Sequence, residues 1–254
     1  MSEMDLKTCR PLNDIASIEQ YAAERVDYVV ATSAIVKDDL VRVGIKPEKI
    51  VIIHNAIEDY WFEAGMPDFS PVPAIVFLGR ISEDVFTLKL KGVDRLVRIL
   101  GDFPEIRKLS VVMSRNQRLL AWMHQAFPRH VVMANAIKDT LPSLLRQYAG
   151  GISLLPSRYE GFSLSLIETM SQGLVPVSYP VGVAPEIIHD GENGFLVKSI
   201  EEAKERIHLL LQDAPLRHRL AHNAWETSKR FHSDALVDEI LGLYHRILNK
   251  KTQK

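Results

Sequence analysis

A single cysteine, Cys9, stands among 254 residues. No disulfide can form within the chain, and the composition fits a reducing compartment. Charge of one sign is missing too. The 31 Lys and Arg balance 32 Asp and Glu, so no basic excess points to nucleic acid. Long apolar runs are absent, and stretches such as 74–78 fall far short of the ~18 residues that span a membrane. The first ten residues, MSEMDLKTCR, carry no apolar core, so no secretory leader is expected there. The tail lysines Lys250, Lys251 and Lys254 read as a solvated end, and peripheral membrane contact is the most they would support. No spacing of His, Cys and carboxylates suggests a bound metal. Asp38-Asp39 falls mid-helix and reads as a solvated face. Internal repeats and low-complexity tracts are also lacking.

What is present is a globular chain. Hydrophobic residues make up 46% and charged residues 25%, which excludes a disordered protein. Helix is expected over 14–25 and strand over 27–31. Thr32 or Ser33 is expected to cap a helix that ends at Gly44. Strand returns at 50–53, and a short aromatic segment, 59–62, follows. Three prolines, Pro67, Pro71 and Pro73, make 65–73 the best linker. Strands are then expected at 74–78, 109–113, 130–133, 151–155, 174–178 and 194–197. Helices separate them at 93–100, 117–127, 141–148 and 163–172, with a helical turn at 184–188. Residues 200–250 read as helix broken near Pro215 and Ser233. Uninterrupted apolar strands between amphipathic helices predict an α/β fold with a parallel sheet covered on both faces. Such sheets bind ligands where strands end.

The most informative loop follows the strand at 151–155. It runs Pro156-Ser157-Arg158-Tyr159-Glu160-Gly161-Phe162-Ser163 and enters a helix bearing Glu168. Ser163 is a plausible N-cap. Unpaired N–H groups and the positive dipole end of that helix suit a phosphate, and Gly161 allows close backbone approach. Two carboxylates beside an anion site can accept from hydroxyls, so the pattern suits a nucleotide-sugar.

These residues resemble the E-x7-E motif of family 4 retaining glycosyltransferases. Other segments agree in order. Val29-Val30-Ala31-Thr32-Ser33 and Lys49-Ile50-Val51-Ile52-Ile53-His54-Asn55 resemble that family's interdomain portion. Phe77-Leu78-Gly79-Arg80 followed by Lys91-Gly92-Val93-Asp94 resembles its G-R…K-G pair. Gly173-Leu174-Val175-Pro176-Val177, Pro185-Glu186-Ile187-Ile188 and Asp190-Gly191-Glu192-Asn193-Gly194 complete the set. The resemblance implies the GT-B architecture of two facing Rossmann-like domains, with this chain carrying the C-terminal, donor-binding one. It implies that Glu168 accepts from the donor's ribose and that Glu160 contacts its sugar. The backbone of Gly161, Phe162 and Ser163 would meet the sugar or diphosphate. Arg80 and Lys91 would neutralise the leaving diphosphate without a metal or other cofactor, with Gly79 beside them and Lys89 a second candidate lysine. Glu160 is not taken as a covalent nucleophile. Glu186 reads as a structural cap, His54 as a turn residue, Trp61 and Phe62 as interdomain packing, and Trp122 and Trp225 as core or interdomain contacts.

Three departures stand out. Ten residues, 81–90, separate Arg80 from Lys91 where the family has a short turn. Ser114-Arg115-Asn116 replaces a glycine-rich turn. The acceptor-side domain is nearly absent. Residues 1–64 are expected to be its remnant, 65–73 the linker, 74–213 the donor domain and 214–254 helices packing back toward the amino-terminal part.

The resulting expectation is a retaining hexosyltransferase using a UDP- or GDP-sugar. Its acceptor would be a cell-surface polysaccharide, lipopolysaccharide included, or a glycolipid. The missing half would come from a longer native protein, a partner chain or a homo-oligomer, and the enzyme would be cytoplasmic, at most peripheral to the inner membrane face. The first alternative is a non-catalytic nucleotide-sugar-binding or regulatory subunit. The second is another GT-B enzyme, an epimerase or a phosphorylase.

Overall fold

The structure is a computed structural model that describes residues 10–70, 72–81, 84–114 and 116–252, with side chains described from Ser17 to Lys250. Cys9, Arg115, Lys251 as a side chain and Lys254 fall outside that description.

The chain divides into two compact units, Met1–His54 with Val237–Lys254, and Asn55–Leu236. In the smaller unit, helix α1 (Arg10–Arg25) leads to strand β1 (Val29–Ala31), helix α2 (Ala34–Arg42) and strand β2 (Ile50–Ile52). Ser33 is the N-cap of α2 and accepts from the Val36 N–H, satisfying one of its orphan donors. β1 and β2 pair in parallel as a sheet of two strands. Ala23, Ala31, Ile45 and Ile50 form its small core.

The larger unit carries the main sheet. Its strands are β3 (Ala74–Arg80), β4 (Arg107–Met113), β5 (His130–Ala134), β6 (Ile152–Leu155), β7 (Val175–Ser178) and β8 (Phe195–Leu196). All pair in parallel, in the order β5-β4-β3-β6-β7-β8. Its helices are α3 (Val85–Leu90), α4 (Val93–Gly101), α5 (Gln117–Ala126), α6 (Leu141–Arg146), α7 (Leu164–Ser171), α8 (Ala184–Ile187), α9 (Ile200–Gln212) and α10 (Ala214–Ser228). Helix α11 (Ser233–Thr252) runs from this unit into the smaller one. Alternate residues of β3 explain the two-faced core. Ile75 and Phe77 pack with Leu96, Ile99 and Met123 on one face. Val76 packs with Leu145, Ile167 and Met170 on the other. The expected α/β, Rossmann-like parallel sheet is therefore what the chain forms.

The strand order reverses between β3 and β6, which is the topological switch point of a doubly wound sheet, where a crevice opens beyond the strand ends. Gly79 and Arg80 end β3, and the Glu160 loop follows β6.

Several expectations shift. The units part at His54 and Leu236, not at 64 and 213. Residues 55–73 go with the larger unit because they are tied to it. Trp61 is 2% exposed in its core, Gln172 Nε2 donates to the Trp61 carbonyl, and Arg146 donates to the carbonyls of Ala64, Gly65 and Met66. Trp61 is thus core to one unit and not packing between units. Helix α10 likewise contributes Leu220, Ala221 and Ala224 to the large core, so only the chain beyond Leu236 joins the amino-terminal unit. Trp122 is 46% exposed, with its ring edge-on to the core residue Phe127 at 6.0 Å, so it lies at the margin of the core. The insertion 81–90 holds the unforeseen helix α3, capped by Asp84 through the Thr87 N–H.

Arg217 is 1% exposed. Its Nε donates to the Gly150 carbonyl and its Nη1 to the Leu210 carbonyl, at 2.8 and 2.7 Å. Replacing it by Leu leaves two buried acceptors unpaired. Arg217→Leu is expected to lower stability by about 2–3 kcal/mol in denaturant unfolding; a change below about 0.5 kcal/mol would show the carbonyls find other donors.

Candidate functional site

The site is built around a close contact between two chain segments. Gly92, the N-cap of α4, has φ +65°. A Cβ there would lie 2.0 Å from the Pro156 carbonyl oxygen, so only glycine lets the α3–α4 turn approach the β6–α7 loop this closely. The contact brings Lys91 to Glu160. Lys91 Nζ donates to Glu160 Oε1 at 2.8 Å and to Oε2 at 2.9 Å. Ser157 Oγ also donates to Oε1, at 2.7 Å. The pair is mostly buried, with side chains 24% and 13% exposed. The Phe162 end of the loop meets a second glycine, Gly182 at φ +54°, where a Cβ would lie 2.3 Å from the Phe162 oxygen. The Val183 N–H donates to the same carbonyl.

Lys91 and not Lys89 engages the carboxylate. Lys89 lies on the exposed side of α3, and only its backbone carbonyl takes part, accepting from Arg158. Arg80 ends β3 exposed, with Gly79 half-buried before it. Phe162 is core, its ring edge-on to Phe231 at 5.8 Å, so its share in a ligand site is its backbone. Ser163 takes the N-cap position of α7, but at φ 85° and with no side-chain cap bond. That corrects its expected capping role. A non-glycine residue in this region is strained by about 1–3 kcal/mol, a feature that clusters at ligand sites. Gly161 and Phe162 link it to Glu160.

Glu168, on α7, is 8% exposed. Among the described residues no hydrogen bond reaches its carboxylate. Burial pushes its carboxyl up to about 7; the Lys138 charge works against the rise and the Glu58 charge with it. Lys138 and Glu58 form an ion pair, whose hydrogen bond holds the Lys138 ammonium above its ordinary value. Neither residue was a sequence candidate, since one charged residue in a loop carries no periodic signal.

Ser114 and Asn116 are held without glycines. Asn135, at φ 54°, accepts from the Ser114 N–H and donates to the Ser114 carbonyl. Asn116 Oδ1 accepts from the Leu119 N–H and caps α5. The Asp190–Gly194 turn is structural: Asn193 Nδ2 donates to Ile187 O and Thr227 Oγ1, and Asp190 accepts from the Leu196 N–H.

Beyond the switch point the sheet thus carries a cation–carboxylate pair at the β6–α7 loop and a buried carboxylate on the helix that follows. Comparison gives its family. Residues 72–227 match the glycosyl transferases group 1 family, and residues 9–59 match Glycosyltransferase Family 4. The chain belongs to the glycosyl transferases group 1 family. An uncharacterized glycosyltransferase of Methanocaldococcus jannaschii is 24% identical over 231 residues, 90% of this chain and 62% of its own. The fold is similar to sucrose-phosphate synthase from Thermosynechococcus elongatus, with TM-score 0.77, 21% identity, and coverage of 98% of this chain and 64% of that one. It is also similar to Anabaena HepE in complex with UDP-glucose, with TM-score 0.73, 20% identity, and coverage of 91% and 67%. The chain spans between 41% and 62% of the length of curated relatives it matches.

The Glu168 carboxyl makes stability depend on pH. Between its ordinary 4.5 and about 7, the folded chain keeps a proton that the unfolded chain has released. Its contribution is therefore present below about 4.5 and lost as pH rises through 7. Glu168→Gln has no such loss. The stability gap, variant minus parent, is expected to widen from pH 5 to pH 8, at most by about 1.4 kcal/mol per pH unit. A gap that stays constant in denaturant melts across that range would refute the raised carboxyl.

Proposed function

We propose that this chain is the donor side of a retaining glycosyltransferase that takes a UDP- or GDP-sugar and passes its hexose to a polysaccharide or glycolipid. The observation that carries the reading is the Lys91–Glu160 pair at the switch point, with Glu160 in one loop–helix segment with the buried Glu168. Glu168 accepts from the two ribose hydroxyls, which replace the hydrogen bonds its carboxylate lacks. Glu160, oriented by Ser157 and Lys91, accepts from hydroxyls of the sugar. Lys91 and Arg80 face the diphosphate. As the C1–O bond to phosphate breaks, its electron pair passes to the leaving diphosphate, where these cations stabilise the new charge independently of a metal. The acceptor hydroxyl adds to C1 on the face just vacated, and its proton goes to a phosphate oxygen. Configuration is retained and a nucleoside diphosphate is released. The relative seen with UDP-glucose makes UDP the first nucleotide to test.

The acceptor side is completed by more polypeptide, in a longer protein, a partner chain or a second copy. Support comes from the smaller unit, whose sheet has two strands. Helix α11 there leaves Val237, Leu241, Tyr244 and Leu248 exposed. Their spacing of four, three and four residues makes one apolar stripe. No helix of the described residues is long and apolar enough to cross a membrane. We place the enzyme in the cytoplasm, in peripheral contact with the inner membrane face at most.

Thermal melts with UDP, GDP, ADP and CMP test the donor class. UDP or GDP is expected to raise the melting temperature, by the equivalent of about 2.7 kcal/mol at a hundredfold excess over Kd; no rise with any of the four sinks the reading. Affinity is expected to climb as pH rises from 6 to 8, because ribose binding favours ionised Glu168, and Glu168→Gln should flatten that dependence in calorimetry. With a competent acceptor, Lys91→Ala is expected to slow transfer by about 10²–10³-fold, and the anomeric proton of the product should show the donor's configuration. Sedimentation should find self-association or apolar dye binding; a monomer that binds no dye argues against a missing acceptor side.

A further inference from the structure

We propose that Arg158 and Asp94 form a positioning clamp that seats the Lys91 ammonium on the Glu160 carboxylate. The proposal rests on the donor-site reading above. Arg158 lies two residues before Glu160. Its guanidinium grips Asp94 with both arms, Nη1 to Oδ1 and Nη2 to Oδ2, each at 2.7 Å. Nη1 also donates to the Lys89 carbonyl at 2.7 Å, and the Arg158 N–H to the Leu90 carbonyl at 2.7 Å. The partners, residues 89, 90 and 94, bracket Lys91 in sequence.

The geometry closes a ring. One side is the Lys91–Glu160 bond pair; the other is Arg158 bound to the backbone before Lys91 and to the side chain after it. The start of the loop is already fixed. Arg95 Nη1 donates to the Pro156 and Ser157 carbonyls at 3.1 Å each, and its guanidinium stacks 3.8 Å over the Tyr179 ring. Gly92 fixes the spacing at Pro156. Beyond Ser157, Arg158 and the Lys91–Glu160 pair tie the loop to the α3–α4 turn. Without the Arg158 fork, Ser157 and a flexible lysine would hold the carboxylate, and a displacement near 1 Å can cost about a hundredfold in rate. A lysine at 158 keeps the charge but cannot present the planar fork that Asp94 accepts.

Arg158 touches neither end of a ligand in this scheme; it acts through Lys91 and Glu160. Its loss should therefore weaken contacts to the diphosphate and sugar and spare those to the nucleoside. The first test needs no ligand. In ¹⁵N-lysine-labelled protein, two hydrogen bonds should slow exchange of the Lys91 ammonium with water. Arg158→Ala is expected to speed that exchange severalfold, with Arg158→Lys in between, while the melting profile stays cooperative. Exchange that remains slow in Arg158→Ala overturns the clamp, whatever the chain binds.

The second test uses calorimetry with UDP-glucose, GDP-mannose, uridine and guanosine. For whichever nucleotide-sugar binds the parent chain, Arg158→Ala is expected to weaken affinity about tenfold, and its nucleoside by less than twofold. In the Lys91→Ala background the same change should add little, because the clamp works through Lys91. Equal losses for nucleoside and nucleotide-sugar, or additive losses with Lys91→Ala, overturn the clamp and leave the donor reading standing. Binding of none of the four overturns the donor reading, and the positioning role falls with it even if the exchange result holds.

Discussion

Gly92 has no room for a side chain, and the whole site depends on that. The left-handed backbone at this residue lets the turn between α3 and α4 press against the Pro156 carbonyl. Everything chemical follows from the approach. Lys91 precedes the contact by one residue and Glu160 follows it by four on the other segment, so the two charges meet as a consequence of backbone fit. An ion pair this poorly exposed pays desolvation that exposed pairs avoid. Ser157 and the second Lys91 bond offset part of that cost by filling the carboxylate's acceptor sites. On the proposed function, a diphosphate would exchange one anion for another at this pair without the cation moving far.

Glu168 illustrates the opposing pull between folding and binding. Among the described residues no hydrogen bond reaches the Glu168 carboxylate on α7, and its burial raises its pKa and opposes ionisation in the folded chain. Ribose hydroxyls would supply what is missing. Lys138 and Glu58 flank it with opposite charges, so the local field is tuned by a pair and not by a lone cation. Ser163 adds a second strained element at the start of the same helix. Strain and unsatisfied polarity within one loop–helix segment mark a surface prepared for a ligand.

Most of the fold was legible because the strands are buried on both faces. Strands such as Ala74–Arg80 and Val175–Ser178 read as plain apolar runs, and the intervening helices show the 3.6-residue period. Glu160, Lys91 and the two carboxylates' spacing were legible because they sit in ordered motifs. What was not legible depends on contacts made across the chain. Helix α3 is six residues long, too short for its period to register. Lys89 and Lys91 look equivalent in a string of letters, and only the turn at Gly92 chooses between them. Asn135 replaces missing glycines from 21 residues away. The boundary at His54 was hidden because prolines 67–73 advertise a linker more loudly than Trp61 advertises its burial.

The smaller unit raises a different constraint. A parallel pair of strands is the least that can be called a sheet, and such sheets are stable in proteins when covered on both faces and extended by neighbours. Here β1 and β2 have each other, a core of a few residues and the carboxyl-terminal end of α11. Lys250 reaches the Tyr28 hydroxyl and ring from that helix, which ties the far end of the chain to its beginning within one unit. The opposite stripe of α11 remains apolar and uncovered, as do Val30 and Val43. Exposed apolar surface of this kind is costly in water and signals an interaction. The larger unit has an extensive core on both faces of its own sheet. On the proposed function, donor binding would need only the larger unit, and sugar transfer would also need whatever covers the smaller.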